Sequence, residues 1–201
     1  MDYWAASTSE IFPGLFIGNS QSTYTREVLE SNKITAVVSV VEVRHALWNR
    51  TKFTDSIKPG HHLWIECLDS KVENMLVLMR TVCDFIDANL EPEGSKPPGR
   101  VLVHCKMGIS RSATMVIAYL MQKLGKSRDE VLAEVKIKWP RARPSSNFMA
   151  QLEIWGKVGY NLWADEAKTV PKPEYEAYLA KRAAYLREHG LTGEEGYIRE
   201  L

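Results

Sequence analysis

Cysteine is scarce in this chain of 201 residues: Cys67, Cys83 and Cys105 are odd in number and include no C-x-x-C pair. That argues against a disulfide framework and against a zinc site of paired cysteines, and makes a reducing interior the expected home. A surplus of one charge is also missing. Lys and Arg number 26 against 25 Asp and Glu, a net charge of +1, so the global balance calls for neither nucleic acid nor an anionic membrane, and any anion site must be local. No apolar run approaches the roughly 18 residues of a membrane span, and Met1 to Glu10 has no basic region followed by an apolar one. The expectation is a soluble cytoplasmic or nuclear protein that needs no cofactor and no metal.

What is present is 45% hydrophobic content in a length that suits one core with a short appendage. Leu15 to Ile17 and the β-branched run Thr35 to Val41 read as strands around a helical stretch, Gln21 to Asn32. A polar stretch from Glu42 to Pro59 leads to a strand at Leu63 to Cys67. A helix follows, with Leu76, Met79, Val82, Cys83 and Ile86 at helical spacing. The loop Glu91 to Gly99 delivers the chain into a strand, Val101 to Val103, that ends at His104. Beyond Arg111, residues Met115, Ala118, Tyr119 and Met121 to Leu124 suit a buried helix closed by Gly125. Ser127 with Glu130 matches a capping box, and Asn147 to Val158 supplies another helix. The alternation predicts an α/β fold, a mixed central sheet flanked by helices on both faces, with its site at the carboxyl end of a strand. Residues 1–165 are expected to form the catalytic domain. Residues 166–201 form a helical extension, in which Tyr175, Tyr178, Leu179, Arg182, Tyr185 and Leu186 mark one amphipathic helix docked on the domain.

Chemistry concentrates in His104-Cys105-Lys106-Met107-Gly108-Ile109-Ser110-Arg111-Ser112. Cysteine with arginine six places on is a weak signal alone. Adding His before Cys, Gly three places after it and Ser after Arg lowers the chance of coincidence to roughly 10⁻⁵ on average residue usage. Neither Cys67 nor Cys83 has arginine at that distance. The spacing lets a strand turn abruptly into a helix, so that the backbone N–H groups of Cys105 to Arg111 surround one phosphate at the positive helix end. Those amides and the Arg111 guanidinium favour the thiolate of Cys105 as a nucleophile. Arg111 can also give two parallel hydrogen bonds to phosphoryl oxygens, which a lysine cannot. Ser112 can donate its hydroxyl to the sulfur when thiolate must leave, and His104 holds and tunes the loop or is an ordinary strand-end histidine. A leaving oxygen needs a proton from a carboxylic acid facing the loop. Asp69 is the candidate because it follows the strand Leu63 to Cys67, which puts it at the edge of Cys105 if the two strands are neighbours. Asp55, Glu66 and Glu73 compete, and Asp69 could equally be a turn or N-cap aspartate.

These features resemble the dual-specificity protein phosphatases: the His-Cys-x5-Arg-Ser loop, Leu68-Asp69-Ser70, and Arg143-Pro144-Ser145-Ser146-Asn147-Phe148. The resemblance covers roughly residues 9–160. It implies that fold, Asp69 as general acid and later base, a phosphocysteine intermediate, and a shallow cleft for phosphotyrosine and phosphoserine or phosphothreonine of protein substrates. The family commonly has asparagine directly after the proline, where this chain has Ser145 and places Asn147 two residues on. Gln151 to Trp155, Val158-Gly159-Tyr160 and the later tyrosine-rich helix resemble a subgroup that adds a C-terminal zinc-binding domain and takes part in large-ribosomal-subunit maturation. That implies pre-ribosomal components as partners. No cysteine lies beyond Cys105, so the zinc domain is absent and the chain is expected to be a piece of a longer protein. Other readings stay open: a scaffold acting by protein interaction, a phosphoinositide phosphatase through Lys106, or an RNA 5′-triphosphatase through Lys136, Lys138, Arg141 and Arg143 around Trp139. Against the last stands a solvated helix end with a packed tryptophan.

Overall fold

The β-branched segments form the sheet, because Val and Ile fit a pleated surface covered on both faces. In the computed structural model, which describes residues 5–43, 56–91 and 98–193, the strands are β1 (Thr8–Phe12), β2 (Leu15–Asn19), β3 (Ala36–Val40), β4 (His62–Ile65) and β5 (Val101–Cys105). Their order is β1-β2-β5-β3-β4, with β1 antiparallel to β2 and the other pairs parallel. The central strand therefore carries the cysteine loop at its carboxyl end. The helices are α1 (Ser20–Tyr24), α2 (Arg26–Ser31), α3 (Leu76–Leu90), α4 (Arg111–Leu124), α5 (Arg128–Lys138), α6 (Ser146–Lys157) and α7 (Pro173–Glu188).

Alternation along each strand sorts two cores. Leu15, Ile17, Val38, Val40, Val101 and Val103 face the larger one, under α3 to α6. Phe16, Val37 and Leu102 face a smaller one with Leu29 and Ile34. Helix α4 is buried from Arg111 to Met121, and its end is set by Gly125, whose φ of +65° is a left-handed cap that glycine adopts at little cost. Helix α5 opens with the capping box of Ser127 and Glu130. Helix α7 is tied down where Tyr175 packs edge-on against Trp163, Asn74 Nδ2 donates to Tyr175 Oη (3.3 Å), and Arg182 Nε donates to Val72 O (2.8 Å).

Two expectations change. Strand β1 has no counterpart in the sequence reading, because it is a short edge strand broken by a register shift between Glu10 and Phe12. And β4 is not the neighbour of β5: β3 lies between them. Asp69 still reaches the edge of Cys105, because β3, β4 and β5 run parallel and all end on that side. None of the described helices is long and apolar enough to cross a membrane.

Candidate active site

Cys105 is the last residue of β5, nearly inaccessible in the floor of a cavity of about 170 Å³ lined also by Asp69, Lys106, Met107, Ile109, Ser110 and Arg111. Its sulfur accepts from Gly108 N–H (3.2 Å) and from Ser112 Oγ (3.3 Å), so the two donors expected to serve a thiolate are already aimed at it. The orientation of the other amides follows from what holds the carbonyls. Cys105 O accepts from Ser20 Oγ (3.2 Å), Lys106 O from Ser20 N–H (3.3 Å), Met107 O from Arg141 Nη2 (2.5 Å), Gly108 O from Trp139 Nε1 (2.6 Å), Ile109 O from Arg143 N–H (2.8 Å) and Ser110 O from Thr114 N–H (2.9 Å). Each peptide is planar and trans, so a carbonyl held outward turns the next N–H inward. Six consecutive carbonyls are fixed this way, and the inner surface of the loop is lined with donors, completed by the amino end of α4. Gly108 permits the turn: its φ is +70°, and a Cβ there would lie 2.8 Å from Gly18 O and 3.0 Å from Trp139 Cζ2.

Arg111 is held along one edge. Its Nη1 donates to Glu42 Oε2 (2.5 Å) and to Cys67 O (2.9 Å), while Nε lies 3.8 Å from Asp69 Oδ2. Burial works against the charge of Arg111, but the anions of Cys105 and Glu42 raise its pKa. Burial is the largest single influence on the Glu42 carboxyl and opposes its charge, but the hydrogen bond from Arg111, a backbone hydrogen bond and the charges of Arg111 and Lys106 together outweigh it and hold the carboxyl below its usual range. Asp69 Oδ1 accepts from Ser110 Oγ (2.9 Å), which places the carboxyl over the loop. The turn that carries Asp69 is supported from behind. Glu73 Oε2 accepts from Leu68 N–H (2.8 Å), Asn147 Nδ2 donates to Ser70 O (3.3 Å) and Glu73 O (3.1 Å), and Gln151 Nε2 donates to Glu73 O (2.8 Å).

The competing acids separate on these contacts. Glu73 is occupied in shaping the turn, Glu66 points to solvent, and Asp55 lies outside the described residues. Asn147 braces the acid turn, while Ser145, at the departure from the usual pattern, donates its N–H to Ser110 Oγ (3.3 Å) and caps α6 with its Oγ accepting from Phe148 N–H (3.3 Å). His104 faces away from the sulfur, as neighbouring strand residues must. Its Nε2 lies 2.6 Å from Ser39 Oγ, which also lies 2.9 Å from His62 Nε2. A hydroxyl has one proton, so at least one of those imidazoles donates. His104 therefore bears on the loop through the sheet, without touching the sulfur. The other cysteines are different: burial pushes both thiols up, Cys67 strongly and Cys83 to about 12, which keeps them protonated.

The model of the dual specificity phosphatase catalytic domain matches residues 15–158. The chain belongs to the dual-specificity phosphatase family. It is 34% identical over 144 residues to Dual specificity protein phosphatase 16 of Homo sapiens, covering 72% of this chain and 20% of that protein. To Dual specificity protein phosphatase 22-B of Danio rerio it is 32% identical over 146 residues, 72% of each chain. Among solved structures, the Yvh1 phosphatase domain from Chaetomium thermophilum superposes with a TM-score of 0.68 at 29% identity, covering 76% of this chain and 97% of that one. The fold and the hydrolase class of this phosphatase domain follow from that membership.

Several site residues escaped the sequence reading. Glu42, the first residue of its polar stretch, accepts from Arg111, and Ser20 and Thr114 had no motif to mark them. Of the two readings of the basic run around Trp139, the packed tryptophan holds: Trp139 is buried and its ring nitrogen donates to Gly108 O, so its ring is not free to stack a base. Trp139→Phe should keep the ring and lose that bond. We expect kcat for an aryl phosphate to fall on the order of tenfold to a hundredfold, because small displacements of reacting groups are that costly, with thermal melting showing that the variant stays folded.

Proposed function

We propose that this phosphatase hydrolyses phosphotyrosine and phosphoserine or phosphothreonine monoesters of proteins through a phosphocysteine intermediate. The observation that carries the proposal is the sulfur of Cys105, 3.2 Å from Gly108 N–H and 3.3 Å from Ser112 Oγ, beneath the Asp69 carboxyl. The inward amides and Arg111 take the phosphoryl oxygens. The Cys105 thiolate attacks phosphorus in line with the ester oxygen, and Asp69 gives that oxygen its proton as the P–O bond breaks. Water then attacks the phosphocysteine, Asp69 removes its proton, and thiolate leaves with the Ser112 hydroxyl donating to it. Arg111 follows the charge through both steps.

The cavity is small and built for the phosphoryl group, which supports acceptance of alkyl as well as aryl esters. A role in large-ribosomal-subunit maturation, in cytoplasm or nucleus and with pre-ribosomal components as partners, is the finer part of the proposal. It is supported by the subgroup resemblance of Gln151 to Trp155 and Val158 to Tyr160.

Asp69→Asn tests the assignment of the acid. Measured in excess chelator, kcat/KM for phosphoserine peptides should fall about 10²-fold or more, and the fall should be much smaller for nitrophenyl phosphate, whose leaving group needs little protonation. The basic limb of the pH profile should flatten. An equal fall for both leaving groups would remove Asp69 from proton transfer.

A further inference from the structure

Beside the catalytic cavity lies a second hollow of about 340 Å³ between α6, α7 and the turn that follows Asp69. Tyr178, Lys181, Arg182 and Tyr185 sit at i, i+3, i+4 and i+7 on α7, which makes them one face of that helix, and all four line the hollow. Val72 and Ala150 with the rings of Tyr178 and Tyr185 make its walls mainly apolar, and Lys71, Lys181 and Arg182 add only positive charge. Neither Lys181 nor Arg182 forms an ion pair among the described residues. Arg182 instead pins α7 to the turn through Val72 O (2.8 Å). One turn separates the hollow from the active site: Lys71 and Asn147 line the hollow, Asn147 Nδ2 holds Ser70 O at 3.3 Å, and Asp69 on the other side of that turn lines the catalytic cavity.

We infer that this groove docks the protein substrate next to its phosphorylated residue, taking a large apolar side chain between Tyr178 and Tyr185 and neighbouring carboxylates at Lys181 and Arg182. A bare anion fits the groove poorly, because walls of hydrocarbon and ring faces give a phosphate no converging donors. A purely apolar segment leaves the charges of Lys181 and Arg182 without a counter-ion at the rim, since the partners of Arg182 are the neutral carbonyls of Val72 and Gly193. A segment that is apolar and acidic satisfies both, and steering by the cations speeds its encounter. The inference rests on the phosphoprotein substrate proposed above and deepens it, since it names the context that the enzyme reads around the phosphoresidue.

The test uses phosphotyrosyl peptides carrying Leu-Glu-Glu at successive offsets on either side of the phosphotyrosine, against Ala-Ser-Ser controls. Binding is read by fluorescence anisotropy in a Cys105→Ser background, alone and combined with Lys181→Glu or Tyr185→Ala. Hydrolysis of nitrophenyl phosphate is measured for Lys181→Glu and Tyr185→Ala with Cys105 intact. At one offset Leu-Glu-Glu should tighten binding about tenfold, the gain should shrink with added salt, and each substitution should abolish it while nitrophenyl phosphate turnover stays at the wild-type value. No gain at any offset, or a gain that survives both substitutions, would overturn the inference. So would a concentration-dependent dimer lost in Tyr185→Ala, which would assign the groove to a second copy of the chain. Because binding is read without turnover, a wild type inactive on nitrophenyl phosphate would sink the phosphatase reading separately and leave the groove judged by affinity.

Discussion

Cys105→Ser should reduce turnover of an aryl phosphate by on the order of 10⁴ or more, the scale seen when a covalent nucleophile is removed, while inorganic phosphate still inhibits or binds as before. A serine hydroxyl is far too weak an acid for Gly108 N–H and Ser112 Oγ to ionise, although both stand within 3.3 Å of the sulfur. Nothing else in the loop changes, because its carbonyls are held by Ser20, Arg141, Trp139, Arg143 and Thr114 from outside. The check is kcat in excess chelator beside a binding measurement with phosphate or tungstate. Lost turnover with retained binding is the signature of a missing nucleophile in an intact cradle.

The second large effect is at Arg111. Arg111→Lys should lower kcat/KM by about 10³, within the range for removing a cation that follows the transition-state charge of a phosphoryl group. The guanidinium serves two masters at once. One edge is held by Glu42 Oε2 and Cys67 O, and what remains is a planar fork for two phosphoryl oxygens. A lysine ammonium can occupy the Glu42 and Cys67 contacts or reach the phosphoryl group, but its shape cannot reproduce both. The measurement is kcat/KM for a phosphotyrosyl peptide; a loss under tenfold would mean that the amides and Lys106 carry the charge and that Arg111 is not required.

The parts of this site that were legible in the sequence are those whose chemistry is local. Cys105, Gly108, Arg111 and Ser112 fall within one turn, where the strand-to-helix geometry dictates residue type at each place. The buried run of α4 and the box at Ser127 were readable for the same reason. Asp69 stood first among several acids by its place after a strand, with a turn or N-cap role equally open until the resemblance favoured the acid; the structure then brings it to Ser110 Oγ and Arg111. What could not be read is what couples distant segments. Glu42 meets Arg111 across 69 residues and Ser20 meets Cys105 across 85, and no local pattern encodes such pairs. The rule that found Asp69, that parallel strands deliver their following loops to one edge, applies equally to the residues after β3 and would have flagged Glu42. Trp139 and Arg141 were ambiguous by composition, since a basic aromatic run looks the same whether it binds a nucleic acid or braces a loop, and the packed tryptophan that the sequence also offered is the one found. Strand β1 was missed because an irregular, partly exposed edge strand has weak alternation.

The central claim is that phosphorus passes through the sulfur of Cys105, and rapid quench of wild-type enzyme with labelled phosphotyrosyl peptide tests it most directly. Acid quench within the first turnover, followed by proteolysis and mass spectrometry, should place the phosphoryl group on the peptide containing Cys105, in an amount approaching the number of active sites when Ser112→Ala slows the second step. A phosphoryl group on another residue, or none on the enzyme while product forms at full rate, would contradict the account.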